Sequence, residues 1–276
     1  VNAFIDDPID KIAAVGFLRE YHTWGWDDNP QTPGYTGYPN NEIAWNPSRA
    51  GDTNGFWNFD DYYEDVQNAG VTISTAMLQN TQWNIPGGDW VNDGDNKPIW
   101  TGEDPEDPAS YIEHGNHLFQ FAARYGSTVV NDNLLKLAAN QPRSTGLNTV
   151  SYIESWNEPD KYWDDRESYF APFEYAAMLS ADYDGHMNTL APGTIGVKNA
   201  DPNMKVAMGG TAGVNMPYIK AMKFWADHNR NGDFPADVLN VHHYSNNGGG
   251  QFMGSVGVSP EQDNLKGRLK ELVDYR

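Results

Sequence analysis

The sequence predicts an α/β fold, a parallel (β/α)8 TIM barrel of which about six βα units lie within the 276 residues. Three observations carry that prediction. Short apolar runs alternate with amphipathic stretches along the whole chain, the pattern of successive βα units around a parallel sheet. Asp6-Asp7-Pro8 follows the first strand where a dinucleotide-binding sheet would carry G-x-G-x-x-G, so an open doubly wound sheet fits less well. Nothing reads as a domain-sized linker, a low-complexity segment or a repeat, so residues 1–276 are expected to form a single barrel domain.

Val1 to Ile5 reads as the first strand, and Asp7 to Ala14, with Pro8 near its start, as a short helix. Val15 to Tyr21 is the second strand. His22 to about Asn58 is rich in Gly, Pro, Asn and Trp and has no period, so it is a loop. Phe59 to Ala69 forms a helix that Gly70 stops, and the β-branched run Val71 to Leu78 is the third strand. A second long loop, Gln79 to about Pro108, carries the turn pairs Pro86-Gly87 and Asp93-Gly94. Helix follows over Ala109 to Tyr125, then the fourth strand over Val150 to Trp156, then helix over Pro172 to Thr189. Lys205 to Met208, Pro217 to His228 and Val238 to Tyr244 read as strand, helix and sixth strand. Ser259-Pro260-Glu261 then opens a last helix whose apolar face is Leu265, Leu269 and Leu272.

Six units leave strands seven and eight unaccounted for. The chain opens inside a strand without Met, so it is expected to be trimmed at the N-terminus and incomplete at the C-terminus. Six units cannot close an eight-stranded barrel, and an open edge is an unpaired ladder. A second chain or an omitted segment is therefore the expected partner completing the barrel.

Composition narrows the function. There are 18 Lys and Arg against 38 Asp and Glu, a formal charge of -20, which excludes nucleic acid and anionic membrane surfaces as natural partners. No apolar run is long enough to span a bilayer. The absence of cysteine removes disulfides, thiolate metal sites and a Cys nucleophile. Aromatic residues make up 13% of the chain, including 10 Trp and 15 Tyr, and flat amphipathic rings suit stacking on sugars. Trp24, Trp26, Trp45 and Trp57 fall in the loop after strand two, and Trp83, Trp90 and Trp100 in the loop after strand three. Trp156 and Trp163 lie at and beyond the end of strand four. Loops that follow strands crowd onto one rim of a parallel barrel, the face that builds sites.

The most informative stretch is Tyr152-Ile153-Glu154-Ser155-Trp156-Asn157-Glu158-Pro159-Asp160. Strand alternation puts Glu154, Trp156 and Glu158 on one parity, with Pro159 ending the ladder and Glu158 at the barrel mouth beside the amide of Asn157. A carboxyl there serves as general acid if a like charge or burial raises its pKa.

Trp156-Asn157-Glu158-Pro159 resembles the strand-four motif of the clan of retaining (β/α)8 glycoside hydrolases, with the β-xylosidase/α-L-iduronidase-like and β-agarase-like branches nearest. The resemblance implies that Glu158 is the catalytic acid/base and that Asn157 holds the sugar 2-hydroxyl. It implies further that Arg19 braces the nucleophile, with His22 following in an Arg-x-x-His arrangement. His242 and Tyr244, a His-x-Tyr pair on strand six, would contact substrate and nucleophile. Trp24, Trp26, Trp83 and Trp163 are the expected sugar-stacking rings. A carbohydrate substrate and a secreted, periplasmic or cell-surface location go with this reading, and no cofactor is required. The sequence departs from the clan at the nucleophile. Retaining hydrolysis needs a second carboxylate about 5 to 5.5 Å from the first. The only glutamates after Tyr244 are Glu261 and Glu271, both in the last helix pattern, so the nucleophile stays unassigned.

Other chemistries fit less well. His114 and His117 share a helix, but the adjacent His242 and His243 point to opposite faces of a strand, which argues against zinc. Asp227-x-Asn229-x-Asn231-Gly232 and Asn92-Asp93-Gly94-Asp95 have calcium-loop character, yet Val238 stands where the first would need Glu, so calcium enters only as a structural ion. Gly248-Gly249-Gly250 lacks the Lys-Ser/Thr of a phosphate loop. Two functional classes remain: a retaining glycoside hydrolase, or a non-catalytic carbohydrate-binding barrel lacking the nucleophile.

Overall fold

A computed structural model describes residues 2–3, 7–27, 58–81, 84, 93–136, 143–245 and 257–275. Five parallel strands, β1 (Asn2–Ala3), β2 (Phe17–Thr23), β3 (Thr72–Leu78), β4 (Tyr152–Ser155) and β5 (Lys205–Met208), form one sheet in the order β1-β2-β3-β4-β5. Every crossover steps in the same direction. A doubly wound sheet would reverse its strand order at a switch point, so this arrangement is an arc of a barrel.

Between the strands run α1 (Ile9–Ile12), α2 (Trp24–Asp27), α3 (Phe59–Asn68), α4 (Ile112–Tyr125), α5 (Pro172–Asn188) and α6 (Val197–Ala200), and after β5 come α7 (Met216–Asn229) and α8 (Leu265–Tyr275). Side chains written into the sequence start the longer helices. Asn58 accepts from the Asp61 N–H at 3.2 Å, Asn215 accepts from the Tyr218 N–H, and Glu174 reaches back to the Ala171 N–H at 2.7 Å. Pro172 and Pro217 occupy first-turn positions where a missing N–H costs nothing.

The strands have two unlike faces. Leu18, Ile73, Ile153 and Val206 are fully buried and point at the helices, where they meet Phe121, Tyr175 and Met222 in one core cluster. Arg19, Tyr21, Ser74, Ala76, Glu154 and Ala207 occupy the alternate positions, which form the inner face of the arc. In that inner row Ala76 pairs with Glu154 and Glu154 with Ala207. Ala76, between β2 and Glu154, leaves room for a long side chain reaching across from β2.

The expected sixth strand is the main difference from the sequence reading. Val238–Tyr244 makes only isolated parallel bridges, Ala207 with Val238 and Thr211 with Val241. The supporting bonds are Met208 N–H to Val238 O at 3.1 Å and His242 N–H to Thr211 O at 2.8 Å. Among the described residues this segment has ladder partners on one side alone, and a twisted edge segment held on one side does not sustain a regular ladder. The last helix also differs: of Leu265, Leu269 and Leu272, only Leu272 is buried.

Candidate active site

β4 ends at Ser155, and the backbone then turns sharply. Trp156 (φ 75°) and Glu158 (φ 47°) both adopt the left-handed region that non-glycine residues enter at a cost. The turn is held because Glu158 N–H donates to Gly210 O at 3.0 Å and Lys161 N–H to Glu158 O at 3.2 Å. Trp156 swings into the core, with ring centroids 5.6 Å from Phe170 and 5.8 Å from His114. The shared parity expected for Glu154, Trp156 and Glu158 therefore ends at Ser155, since a left-handed residue breaks strand alternation.

Glu158 emerges from this turn facing the segment after β5. Its Oε1 lies 2.7 Å from His242 Nδ1, and the Tyr244 hydroxyl donates to the same oxygen at 3.5 Å. Gly210 makes the approach possible: a Cβ there would come within 2.6 Å of His242 Cδ2 and closer still to Nε2. Hydrogen bonding to His242 holds the Glu158 carboxyl below the usual carboxylate range, against a smaller opposing effect of burial. The sequence reading tied a general-acid role to a raised value. The difference has a physical cause, because no second carboxylate faces Glu158 among the described residues and a histidine and a tyrosine hydroxyl do.

On the inner face Arg19 makes a forked ion pair with Glu154, Nε to Oε2 at 2.6 Å and Nη2 to Oε1 at 2.7 Å. Nη2 also donates to Asn157 Oδ1 at 2.9 Å, and Gly210 N–H adds a bond to Glu154 Oε1 at 3.0 Å. Burial alone would lower the Arg19 pKa, but Glu154 outweighs it and raises it. Arg19 thus fixes the Asn157 amide with its oxygen inward, leaving the NH2 end to be presented elsewhere. Arg19, Asn157, Glu158, His242 and Tyr244 come together at the strand ends from three separate parts of the chain.

His22 and Trp24 do not join them. His22 is fully buried on the helix side of β2 with its ring against Phe59 and Phe121. The reason is spacing: residues three apart on a strand point to opposite faces, so the Arg-x-x-His pair is split by the sheet. Asp27 Oδ2 lies 2.7 Å from His22 Nε2 and 3.0 Å from His117 Nε2. Burial opposes charge on His22, but Asp27 and Glu20 prevail and raise its pKa to about 10, whereas burial lowers His117 to about 4. Trp24, also fully buried, stacks on His117 with centroids 5.5 Å apart and so packs α2 against α4 instead of standing exposed. Trp163 is 55% exposed on the turn after Glu158. Trp45, Trp57, Trp83, Trp90 and the Gly248–Gly250 run lie outside the described residues, as does the side chain of Trp26.

Two contributors escaped sequence reasoning. Asp160 accepts from Ala212 N–H at 2.8 Å and Asn215 Nδ2 at 2.7 Å, tying the Glu158 turn to the loop that leads into α7. Gly210 was legible in principle, since Gly209-Gly210 directly after a strand signals close backbone approach. Among the described residues no group of three or more His, Asp or Glu could hold a metal ion. His114 pairs with Asp182 and His117 with Asp27, while His242 and His243 face Glu158 and Asp263 respectively. Asp227 is paired with Lys223, and Asn229 donates to Trp225 O, so that segment is a helix end and turn.

No protein-family model and no curated protein matches the chain. Solved structures do resemble it. A family 39 glycoside hydrolase from Bacteroides cellulosilyticus is similar at 16% identity and TM-score 0.48 over 88% of this chain and 37% of that one. A family 51 α-L-arabinofuranosidase from Bifidobacterium longum is similar at 14% identity and TM-score 0.43, covering 97% and 43%. A GH30 endoxylanase from Clostridium papyrosolvens is similar at 13% identity and TM-score 0.44, covering 86% and 45%. The chain spans less than half the length of each of these three.

Proposed function

We propose that this chain is the acid/base-bearing part of a retaining glycoside hydrolase barrel. The observation that carries the reading is the convergence at the strand ends: Arg19 bonded to Asn157 at 2.9 Å, with the neighbouring Glu158 set 2.7 Å from His242. Glu158 protonates the departing glycosidic oxygen and later deprotonates the attacking water, which asks one carboxyl to cycle between both states. Asn157 holds a sugar hydroxyl, His242 and Tyr244 line the reaction centre, and Trp163 stacks on the substrate. The second carboxylate comes from outside residues 1–276, on an omitted segment or a second chain that also completes the barrel. Its negative charge about 5 Å away would raise the Glu158 pKa and load the proton that the first step needs. The β-xylosidase/α-L-iduronidase-like and β-agarase-like branches are the proposed neighbours, with the enzyme acting outside the cytoplasm.

The low Glu158 pKa favours a second reading, a carbohydrate-binding barrel without turnover, because a carboxyl kept ionised is a poor general acid. Glu158→Gln separates the two. In the protein supplied with its remaining barrel units, the substitution should cut hydrolysis of substrates with poor leaving groups by about 10²- to 10⁴-fold and leave sugar binding intact. Absence of turnover in the unsubstituted protein under those conditions establishes the binder.

A further inference from the structure

The turn that carries Glu158 continues into a pair of rings that stand out of the protein. Tyr162 is 80% exposed and Trp163 55% exposed, although rings of this size normally cover themselves. Their centroids are 5.3 Å apart at 79°, so each ring props the other edge-to-face. The residues just before them are turned inward and tied down. Asp160 is bonded to Ala212 and Asn215, and Lys161 Nζ reaches Asp95 Oδ2 at 2.8 Å and Asp164 Oδ2 at 3.6 Å. Tyr162 N–H donates to Asp160 O at 2.8 Å and Asp164 N–H to Lys161 O at 3.1 Å, closing the turn. The backbone of the two rings is thereby fixed a few residues from the carboxyl, which lowers the ordering cost of binding to them.

We propose that Tyr162 and Trp163 form a subsite for an uncharged sugar ring of a glycan chain, adjoining the bond that Glu158 acts on. Charge selects the ligand class. Asp164 and Asp165 follow the rings directly in the chain, Lys161 just before them is already engaged by Asp95 and Asp164, and the chain carries a formal charge of -20. A uronate or sulfated ring would meet repulsion there, whereas a neutral pyranose offers a C–H face to the rings and hydroxyls to the carboxylates. This inference rests on the glycoside hydrolase reading for the position of the bond, but it can fail separately.

The test is affinity electrophoresis of the full chain in native gels containing hydroxyethyl cellulose, xylan, glucomannan or agarose, with polygalacturonate as the anionic control. Retardation is expected in at least one neutral gel and absent from the control. Tyr162→Ala and Trp163→Ala should each weaken the apparent affinity about tenfold and together abolish retardation, while Glu158→Gln retains it. Circular dichroism of the variants guards against misfolding, which exposed rings should not cause. Retardation that survives the double substitution, retardation by polygalacturonate, or none in any neutral gel overturns the subsite. Ring-dependent binding in a protein that hydrolyses nothing even when supplied with its remaining barrel units would sink the enzymatic reading and leave the subsite standing.

Discussion

Removing the Arg19 guanidinium tests the inner-face architecture most directly. Glu154 is 2% exposed and receives three N–H donors, two from Arg19 and one from Gly210. At an effective dielectric of about 20 and a charge separation of about 4 Å, the pair attracts by about 4 kcal/mol. Arg19→Met leaves Glu154 buried with the Gly210 N–H as its remaining partner among these three, and stranding one member of a buried pair costs about 3–5 kcal/mol. Glu154→Gln alone is milder, about 2 kcal/mol, because a Gln oxygen still accepts from Arg19 and Arg19 keeps Asn157. The double substitution should cost about 3 kcal/mol, well short of the sum of the two singles, leaving a coupling of about 3 kcal/mol. Urea unfolding followed by tryptophan fluorescence measures all four proteins, and in a parallel thermal melt the Arg19→Met midpoint should fall by roughly 10 °C. Additivity of the two single effects within about 0.5 kcal/mol, at unchanged m, would refute the pairing as a determinant of stability.

Two further outcomes follow from the site and the network behind it. Gly210→Ala places a methyl group against the His242 ring, so His242 should leave Glu158 and the Glu158 pKa should rise toward its ordinary value, measured by carbon-13 NMR of the carboxyl; an unmoved pKa would show that His242 does not set it. For His22 the unfolded chain releases its proton near 6.5 and the folded protein near 10, so the folded state holds more protons between those values and loses a few kcal/mol of stability as pH rises through that window. His22→Gln should flatten the pH dependence of unfolding between pH 7 and 10, and an identical slope in the variant would remove His22 as its source.

Much of the fold was legible because apolar runs bounded by turn residues announce buried parallel strands. Lys205–Met208 and the start of the helix at Phe59 coincide with the sequence reading, and Asn58 caps that helix. Val238–Tyr244 looked no different from the other strands, since a strand is completed by its neighbours on both sides and the sequence of one segment does not report them. At the site, the resemblance carried by Trp156-Asn157-Glu158-Pro159 singled out Arg19, His242 and Tyr244 as companions of Glu158, and the structure brings them together, while their roles rest on that resemblance. His22 was misplaced by reading spacing without the two-residue period, which alone puts it across the sheet from Arg19. Trp24 shows why ring counts mislead: a tryptophan in a loop serves equally as anchor or as platform, and only packing against His117 decides between them.

The alanine at position 76 has a consequence that reaches beyond packing. It carries no polar group, yet the gap it leaves between β2 and Glu154 determines where a guanidinium can lie and hence how the Asn157 amide is turned. A larger side chain there would displace Arg19 before it disturbed the helix-side core. The set of the Asn157 amide can therefore be altered from a single methyl group on the floor of the arc, with every residue that bonds to it unchanged.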